Sequence, residues 1–177
     1  MIRHCPVFPA LLLSAFYAAT AQAEDVQGQI TVNADVAASC EVATSGSTTP
    51  LTGNFGKLTF DTSSWMSGKP IASAPDNLTI TCTAGNAPVV KIDQGENYDP
   101  DAKSWRMKNK ADGMLDYKLF SDAALATEIT PNVDINTKKA NPFALTLYGQ
   151  MQAIPAGKDI PAGSYNDTLN MTISWTG

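Results

Sequence analysis

Few residues in this sequence have side chains suited to catalysis or to redox chemistry. The cysteines are Cys5, Cys40 and Cys82, and the single histidine is His4. Because no histidine follows residue 4, Ser-His-Asp and Cys-His catalytic arrangements are excluded from the rest of the chain. Cys40 and Cys82 are not spaced as C-x-x-C and have no histidine to share a metal with, so the sequence favours a disulfide over a metal or redox pair. Such a bond would close a loop of about 40 residues and stabilise the fold by about 3–4 kcal/mol.

Acidic residues are the other candidates for chemistry. Asp93, Glu96, Asp99 and Asp101 lie close together in the sequence, but the spacing of a calcium-binding loop is missing, so a solvated acidic loop is expected and no metal site. A pair of catalytic carboxylates, as in glycosidases, stays open because sequence does not give their separation. No glycine-rich phosphate loop precedes a helix. We expect no enzyme and no cofactor.

The net charge of −5 also limits the choice of partner. Binding to nucleic acid requires clustered lysine and arginine side chains, and here the basic residues lie among acidic ones. We therefore expect no nucleic-acid partner.

Residues 1–23 have the layout of a secretory signal peptide. Arg3 gives a short positive region, an apolar run from Val7 to Ala21 follows, and Ala21-Gln22-Ala23 is an A-x-A cleavage site. The apolar run is about fifteen residues long, whereas a spanning helix needs about 20. The sequence predicts an exported mature chain of residues 24–177, which suits one domain.

The mature chain consists of short alternating segments separated by Gly, Pro, Ser and Asn. This pattern predicts an all-β sandwich or barrel. The predicted strands include 55–60, 78–82, 89–92, 105–107, 115–120, 143–151 and 165–175. The only helix candidate, 122–128, is short.

The strand nearest the cleavage site has the cleanest alternation. From Gln29 to Val36, apolar and polar residues alternate without a break, and the apolar face comprises Ile30, Val32, Ala34 and Val36. Such a strand needs a sheet edge and an apolar surface. Periodicity alone favours the first strand of its own sandwich, and the alternative is addition to the sheet of another molecule.

A series of short segments from Cys40 to the end of the chain matches a known pattern in both order and spacing. The segments are Phe55-Gly56 with Leu58 and Phe60, Ile80-Thr81-Cys82, Val90-Lys91-Ile92-Asp93-Gln94-Gly95, Arg106-Met107, Gly113–Asp122, Leu147-Tyr148-Gly149, Ile154–Gly157 and Pro161–Leu169. In these segments the chain resembles the spore coat protein U domain family, which includes subunits of archaic chaperone–usher pili. A Trp-Gly tract that is common in the family is absent from 126–141.

The resemblance implies an immunoglobulin-like incomplete β-sandwich that is completed by a donor strand from a neighbouring subunit. It implies a donor extension over 24–39 and a pilin domain over 40–177. The inserting side chains would be Ile30, Val32, Ala34 and Val36. The acceptor groove, which would also contact a chaperone, would involve Leu169, Met171, Ile173 and Trp175, and a Cys40–Cys82 disulfide would tie the first strand to a core strand.

The implied function is a structural pilus subunit that serves surface attachment and biofilm formation. Its partners would be a periplasmic chaperone, an outer-membrane usher and neighbouring subunits, with export through the periplasm to the cell surface. The absence of a second binding domain indicates a shaft or adaptor subunit. The alternative is a secreted, self-complemented sandwich that binds a carbohydrate or a surface ligand.

Overall fold

The structure is a computed structural model that describes residues 29–83, 87–155 and 157–175. The predicted signal peptide and residues 24–28 of the extension lie outside the described residues. The chain divides into a unit that ends at Ala34 and a unit from Asp35 to Gly177. In the described part of the first unit, residues 29–34, no strand forms and every residue is exposed.

Eight strands form in the described part of the second unit. They are β1 (Cys40–Thr44), β2 (Ile71–Ala72), β3 (Asp76–Cys82), β4 (Val89–Ile92), β5 (Trp105–Lys108), β6 (Met114–Phe120), β7 (Phe143–Met151) and β8 (Met171–Ser174). A 3₁₀ helix spans Thr62–Ser67. Among the described residues, no helix has the length and apolar character needed to cross a bilayer.

Six of the strands form one large antiparallel sheet in the order β1-β3-β7-β6-β5, and the short β2 pairs with β7. The inner face of the large sheet follows from alternation of side chains along each strand. In β7, Leu145, Leu147 and Met151 are buried, whereas the residues between them are at least partly accessible. Position 149 of the same strand requires glycine, because the ring of Phe60 packs against it and a Cβ atom there would lie 2.8 Å from that ring.

The second sheet contains only β4 and β8. Val90 and Ile92 of β4 are buried, and they belong to the same core as Leu78 and Ile80 of the large sheet. The two sheets therefore enclose one core, as in an immunoglobulin-like sandwich whose second sheet is incomplete. The predicted all-β class is confirmed.

The disulfide prediction is also confirmed. Cys40 at the start of β1 is bonded to Cys82 at the end of β3, and the two residues are directly opposite each other in the register of the sheet. Their Cα atoms are 4.0 Å apart. The bond therefore holds the point at which residues 35–39 enter the sandwich.

Two predicted strands differ from the structure. Residues 55–60 form only an isolated bridge between Phe60 and Ser73, although Phe55, Leu58 and Phe60 pack against the core. Local side chains compete for the backbone here: Asn54 accepts from the N–H of Gly56, and the Asp61 carboxylate caps the 3₁₀ helix.

The predicted strand 165–175 is a strand only from Met171 to Ser174. Within residues 165–170, backbone and side chains bond to the large sheet instead, as described below. The helix candidate 122–128 is a turn, because the Asp122 carboxylate accepts the N–H groups of Ala124, Ala126 and Thr127.

Candidate functional site

The outer edge of β8 is open. Strand β8 pairs antiparallel with β4, with Ile173 opposite Val90 and Met171 opposite Ile92. The N–H of Asp93 donates to the carbonyl of Asn170 at 3.0 Å, so in the alternating antiparallel pattern the backbone groups of Met171 and Ile173 face away from β4. Within residues 29–83, 87–155 and 157–175, no backbone hydrogen bond or β-bridge reaches them.

The side chains at this open edge are apolar and only half buried. Leu169, Met171 and Ile173 pack against the core without being enclosed by it, whereas Thr172 and Ser174 face solvent. Unpaired backbone groups and partly covered apolar side chains thus occur on the same residues. An added strand with alternating apolar side chains would satisfy both.

The last predicted acceptor residue is placed differently. Trp175 follows the end of β8, and 43% of its surface is exposed. It is not among the residues that pack against the core. The structure therefore brings together three of the four predicted acceptor residues.

The segment that precedes β8 is attached to the large sheet. Asn166 exchanges two backbone hydrogen bonds with Lys108 of β5, at 2.9 and 3.0 Å. The hydroxyl of Tyr117 in β6 donates to Oδ2 of Asp167 at 2.7 Å. Burial raises the pKa of Asp167, and hydrogen bonds from Tyr117 and from the N–H of Thr168 offset this effect only in part. Burial and the hydrogen bond to Asp167 raise the pKa of Tyr117 as well.

The same segment is also attached to β4. The carboxylate of Asp93 accepts from the backbone N–H of Asn170 at 2.9 Å and from its side-chain amide at 2.7 Å. Burial opposes ionisation of Asp93, but the hydrogen bonds from Asn170 and Gly95 outweigh it and lower the pKa of this carboxyl. Residues 166–170 thus join both sheets directly before the open edge. Of the other residues in the acidic loop, Asp99 accepts from two backbone N–H groups and pairs with Arg106.

The opposite edge of the two-stranded sheet is closed by residues 132–135. The N–H of Asn132 donates to the carbonyl of Ile92 at 2.7 Å, and the N–H of Ile135 donates to that of Val90 at 2.8 Å. The N–H of Val90 donates to Oδ1 of Asp134 at 3.0 Å. The sequence pattern does not predict these contacts, because residues 126–141 show no alternation, and the pair Asp134 and Asn136 indicates only a turn.

The predicted donor residues are the most exposed large apolar side chains in the described part of the chain. Ile30, Val32 and Val36 are 91%, 86% and 81% exposed, and Ala34 is exposed as well. Residues 29–39 form no strand here. A donor strand acquires its partners only in another molecule, so the donor role stays a prediction.

Within the described ranges, no three histidine, cysteine, aspartate or glutamate side chains lie together as a metal would require. The site offers main-chain pairing and an apolar surface.

Comparison with known proteins gives a family match and two structural similarities. No curated protein matches the sequence. One similar structure is the chaperone–tip adhesion subunit complex CsuC–CsuE, from archaic chaperone-usher Csu pili of Acinetobacter baumannii. The identity is 17% and the TM-score 0.49, with 78% of this chain and 40% of that chain covered. Another is the P pilus rod subunit PapA, at 16% identity and a TM-score of 0.47, with 85% of this chain and 100% of that chain covered.

The family match covers most of the sequence. Residues 26–172 match the Spore Coat Protein U domain, including most of the predicted donor extension and the start of β8. The chain therefore belongs to the Spore Coat Protein U domain family.

Proposed function

We propose that this protein is a structural pilus subunit of the chaperone–usher type that assembles by donor-strand exchange. Residues 29–36 of one copy add to the open edge of β8 in the next copy. The observation that carries the proposal is that open edge, whose residues Met171 and Ile173 combine unpaired backbone groups with half-buried apolar side chains. Membership of the Spore Coat Protein U domain family supports it.

The two surfaces are chemically complementary. The donor segment carries apolar side chains at every second position, and three of them are more than four-fifths exposed in the isolated chain. Burying a side chain of the size of valine or isoleucine contributes at most about 1.5–3 kcal/mol. The added strand would also give the backbone groups of Met171 and Ile173 their missing hydrogen bonds.

The geometry of this exchange leads to a filament. The donor segment and the acceptor edge are different surfaces, so each contact is heterologous and leaves a free donor and a free acceptor at the two ends of the assembly. Contacts of this kind that do not close into a ring extend without limit. The product is a linear pilus that serves surface attachment and biofilm formation.

An open edge beside partly covered apolar side chains needs a partner before assembly, because such edges promote aggregation. We propose that a periplasmic chaperone occupies the edge of β8 after export. An outer-membrane usher then exchanges the chaperone for the donor segment of the next subunit, which brings the protein to the cell surface.

Deletion of residues 24–39 tests this function. The truncated subunit keeps its acceptor edge, so it should still bind a periplasmic chaperone of the pathway on co-expression. It lacks the donor, so it should add to no neighbour, and electron microscopy and size-exclusion chromatography should show no filaments. Full-length protein is the control. A truncated protein that is a monomer of unchanged stability without a chaperone would instead favour the self-complemented binding module.

A further inference from the structure

The two-stranded sheet has two edges, and only one is open within the described residues. The main-chain N–H and carbonyl groups of Val90 and Ile92 face outward from β4. Three of these four groups, the N–H and carbonyl of Val90 and the carbonyl of Ile92, are hydrogen-bonded to residues 132–135, at distances of 2.7–3.0 Å. We call residues 132–135 the β4 cover. The cover leaves these three groups unavailable to any added strand.

The central contact of the cover is made by a side chain. Oδ1 of Asp134 accepts from the N–H of Val90 and from the N–H of Asn136, both at 3.0 Å, so the carboxylate replaces the carbonyl that a neighbouring strand would supply. The ammonium group of Lys139 pairs with Oδ2. Burial opposes ionisation of Asp134, but Lys139 and the two N–H groups outweigh it and lower the pKa of this carboxyl, so that Asp134 is charged at neutral pH.

A buried amide fixes the cover in place. Asn136 has no exposed surface. Its side-chain NH₂ donates to the carbonyls of Pro88 and Ala140, both at 2.9 Å, and its Oδ1 accepts from the N–H of Ala140 at 2.9 Å. Because Pro88 directly precedes β4, these bonds hold the cover beside the strand that it closes.

We propose that the β4 cover, through Asp134, is a specificity determinant that restricts the donor strand of a second copy to β8. The inference rests on the proposed function. Without the cover, β4 would offer a donor strand unpaired backbone groups beside buried Val90 and Ile92, much as β8 does. A donor able to add at either edge would make branched or irregular assemblies, and the cover removes that choice.

The test counts donor peptides bound per subunit. The subunit is the full mature chain carrying Val32→Asp, which disables its own donor, and the probe is a synthetic peptide of residues 27–38 at increasing concentration. Native mass spectrometry should show one peptide per chain. Adding Asp134→Ala should allow a second peptide, and hydrogen exchange should show the amide of Val90 unprotected without peptide and protected when two are bound.

Asp122→Ala is the matched control, because Asp122 also accepts backbone N–H groups in an exposed turn but covers no strand of the second sheet. It should leave uptake at one peptide. If circular dichroism shows that Asp134→Ala does not fold, Lys139→Ala is the second variant. It removes the ion pair with the Asp134 carboxylate and so loosens the β4 cover, and it should allow a second peptide to bind at higher peptide concentration.

The outcomes separate the two proposals. One peptide per chain in the folded Asp134→Ala or Lys139→Ala variant, at every concentration, overturns the role of the cover and leaves the proposed function intact. Uptake of no peptide by the parent chain overturns donor-strand exchange itself, and the role of the cover falls with it.

Discussion

Substitution of Val32 by aspartate isolates the proposed assembly contact from the stability of the subunit. Val32 lies in the middle of the donor segment, and 86% of its surface is exposed in the isolated chain. Val32→Asp should therefore leave the folded subunit nearly unchanged, since exposed substitutions usually shift stability by less than about 0.5 kcal/mol. In the assembled state the same side chain would lie against the core of a neighbour.

The expected loss of affinity is large. Truncating a buried valine forfeits about 1.5–3 kcal/mol, and burying an unpaired carboxylate costs several kcal/mol more. Each 1.4 kcal/mol is a tenfold change in the dissociation constant, so subunit–subunit affinity should fall on the order of a thousandfold. Filaments should disappear at concentrations where the unmodified protein assembles fully.

Thr31→Asp is the matched control. Thr31 is adjacent to Val32 and equally part of the exposed segment, but it lies on the polar face of the alternation. It adds the same charge to a side chain that would stay in solvent, so filaments should form. Electron microscopy and size-exclusion chromatography measure assembly, while circular dichroism and urea titration check the fold.

Three results would contradict the reasoning. Filaments of normal length and abundance from Val32→Asp would show that residues 29–36 do not insert into a neighbour. Equal loss of filaments in both variants would show that the segment tolerates no added charge and that its apolar face has no special role. A loss of subunit stability in Val32→Asp alone would place Val32 in the subunit's own core.

Two further predictions concern the segment that attaches β8. Tyr117→Phe removes the hydrogen bond to Asp167 and should destabilise the folded chain by about 1.5–3 kcal/mol in urea titrations. Tyr148→Phe is the control, because the hydroxyl of Tyr148 makes no hydrogen bond within the described residues, and it should leave the stability unchanged. Equal losses of stability in the two variants would contradict the role of the Tyr117–Asp167 hydrogen bond. Burial opposes ionisation of Asp93, but hydrogen bonds from Asn170 and Gly95 outweigh it and lower the pKa of this carboxyl. The ionised form of Asp93 should therefore stabilise the folded chain above about pH 4. This contribution should vanish as the pH falls through the lower pKa of the folded state. Asp93→Asn should therefore lose less stability than the unmodified protein between pH 7 and pH 2.5, and identical losses in urea midpoint would refute the assignment.

The strands that could be predicted from the sequence are those in which the alternation of apolar and polar residues coincides with the alternation of buried and accessible residues. In β7, the one-parity series Leu145, Leu147 and Gly149 is the inner face of the strand, so the local pattern contained the answer. The same holds for β3 and β6. The open edge could be predicted only through the resemblance, because an unpaired edge is a property of strand order and leaves no mark in the strand itself.

The parts that could not be predicted depend on contacts between residues distant in sequence. Asp134 bonds to Val90, 44 residues away, and Tyr117 bonds to Asp167, 50 residues away. Nothing near Asp134 indicates that its carboxylate replaces a strand carbonyl. Likewise, the alternation from Tyr165 to Trp175 predicts one strand, yet Asp167 and Asn166 bond to the large sheet and leave only four residues in β8.

The exposed donor segment makes the state of every other edge important. An alternating apolar segment can pair with any free strand edge, so a subunit that carries one risks adding it at the wrong place. Here the edge of β5 is paired with Asn166, the edge of β4 is closed by the β4 cover, and at β1 the N–H of Leu51 donates to the carbonyl of Val42. These covers are single residues or short loops, and each occupies some of the outward-facing groups of a strand of four or five residues. Linear growth of the proposed pilus thus depends on the segments that close three edges as much as on the edge of β8 that stays open.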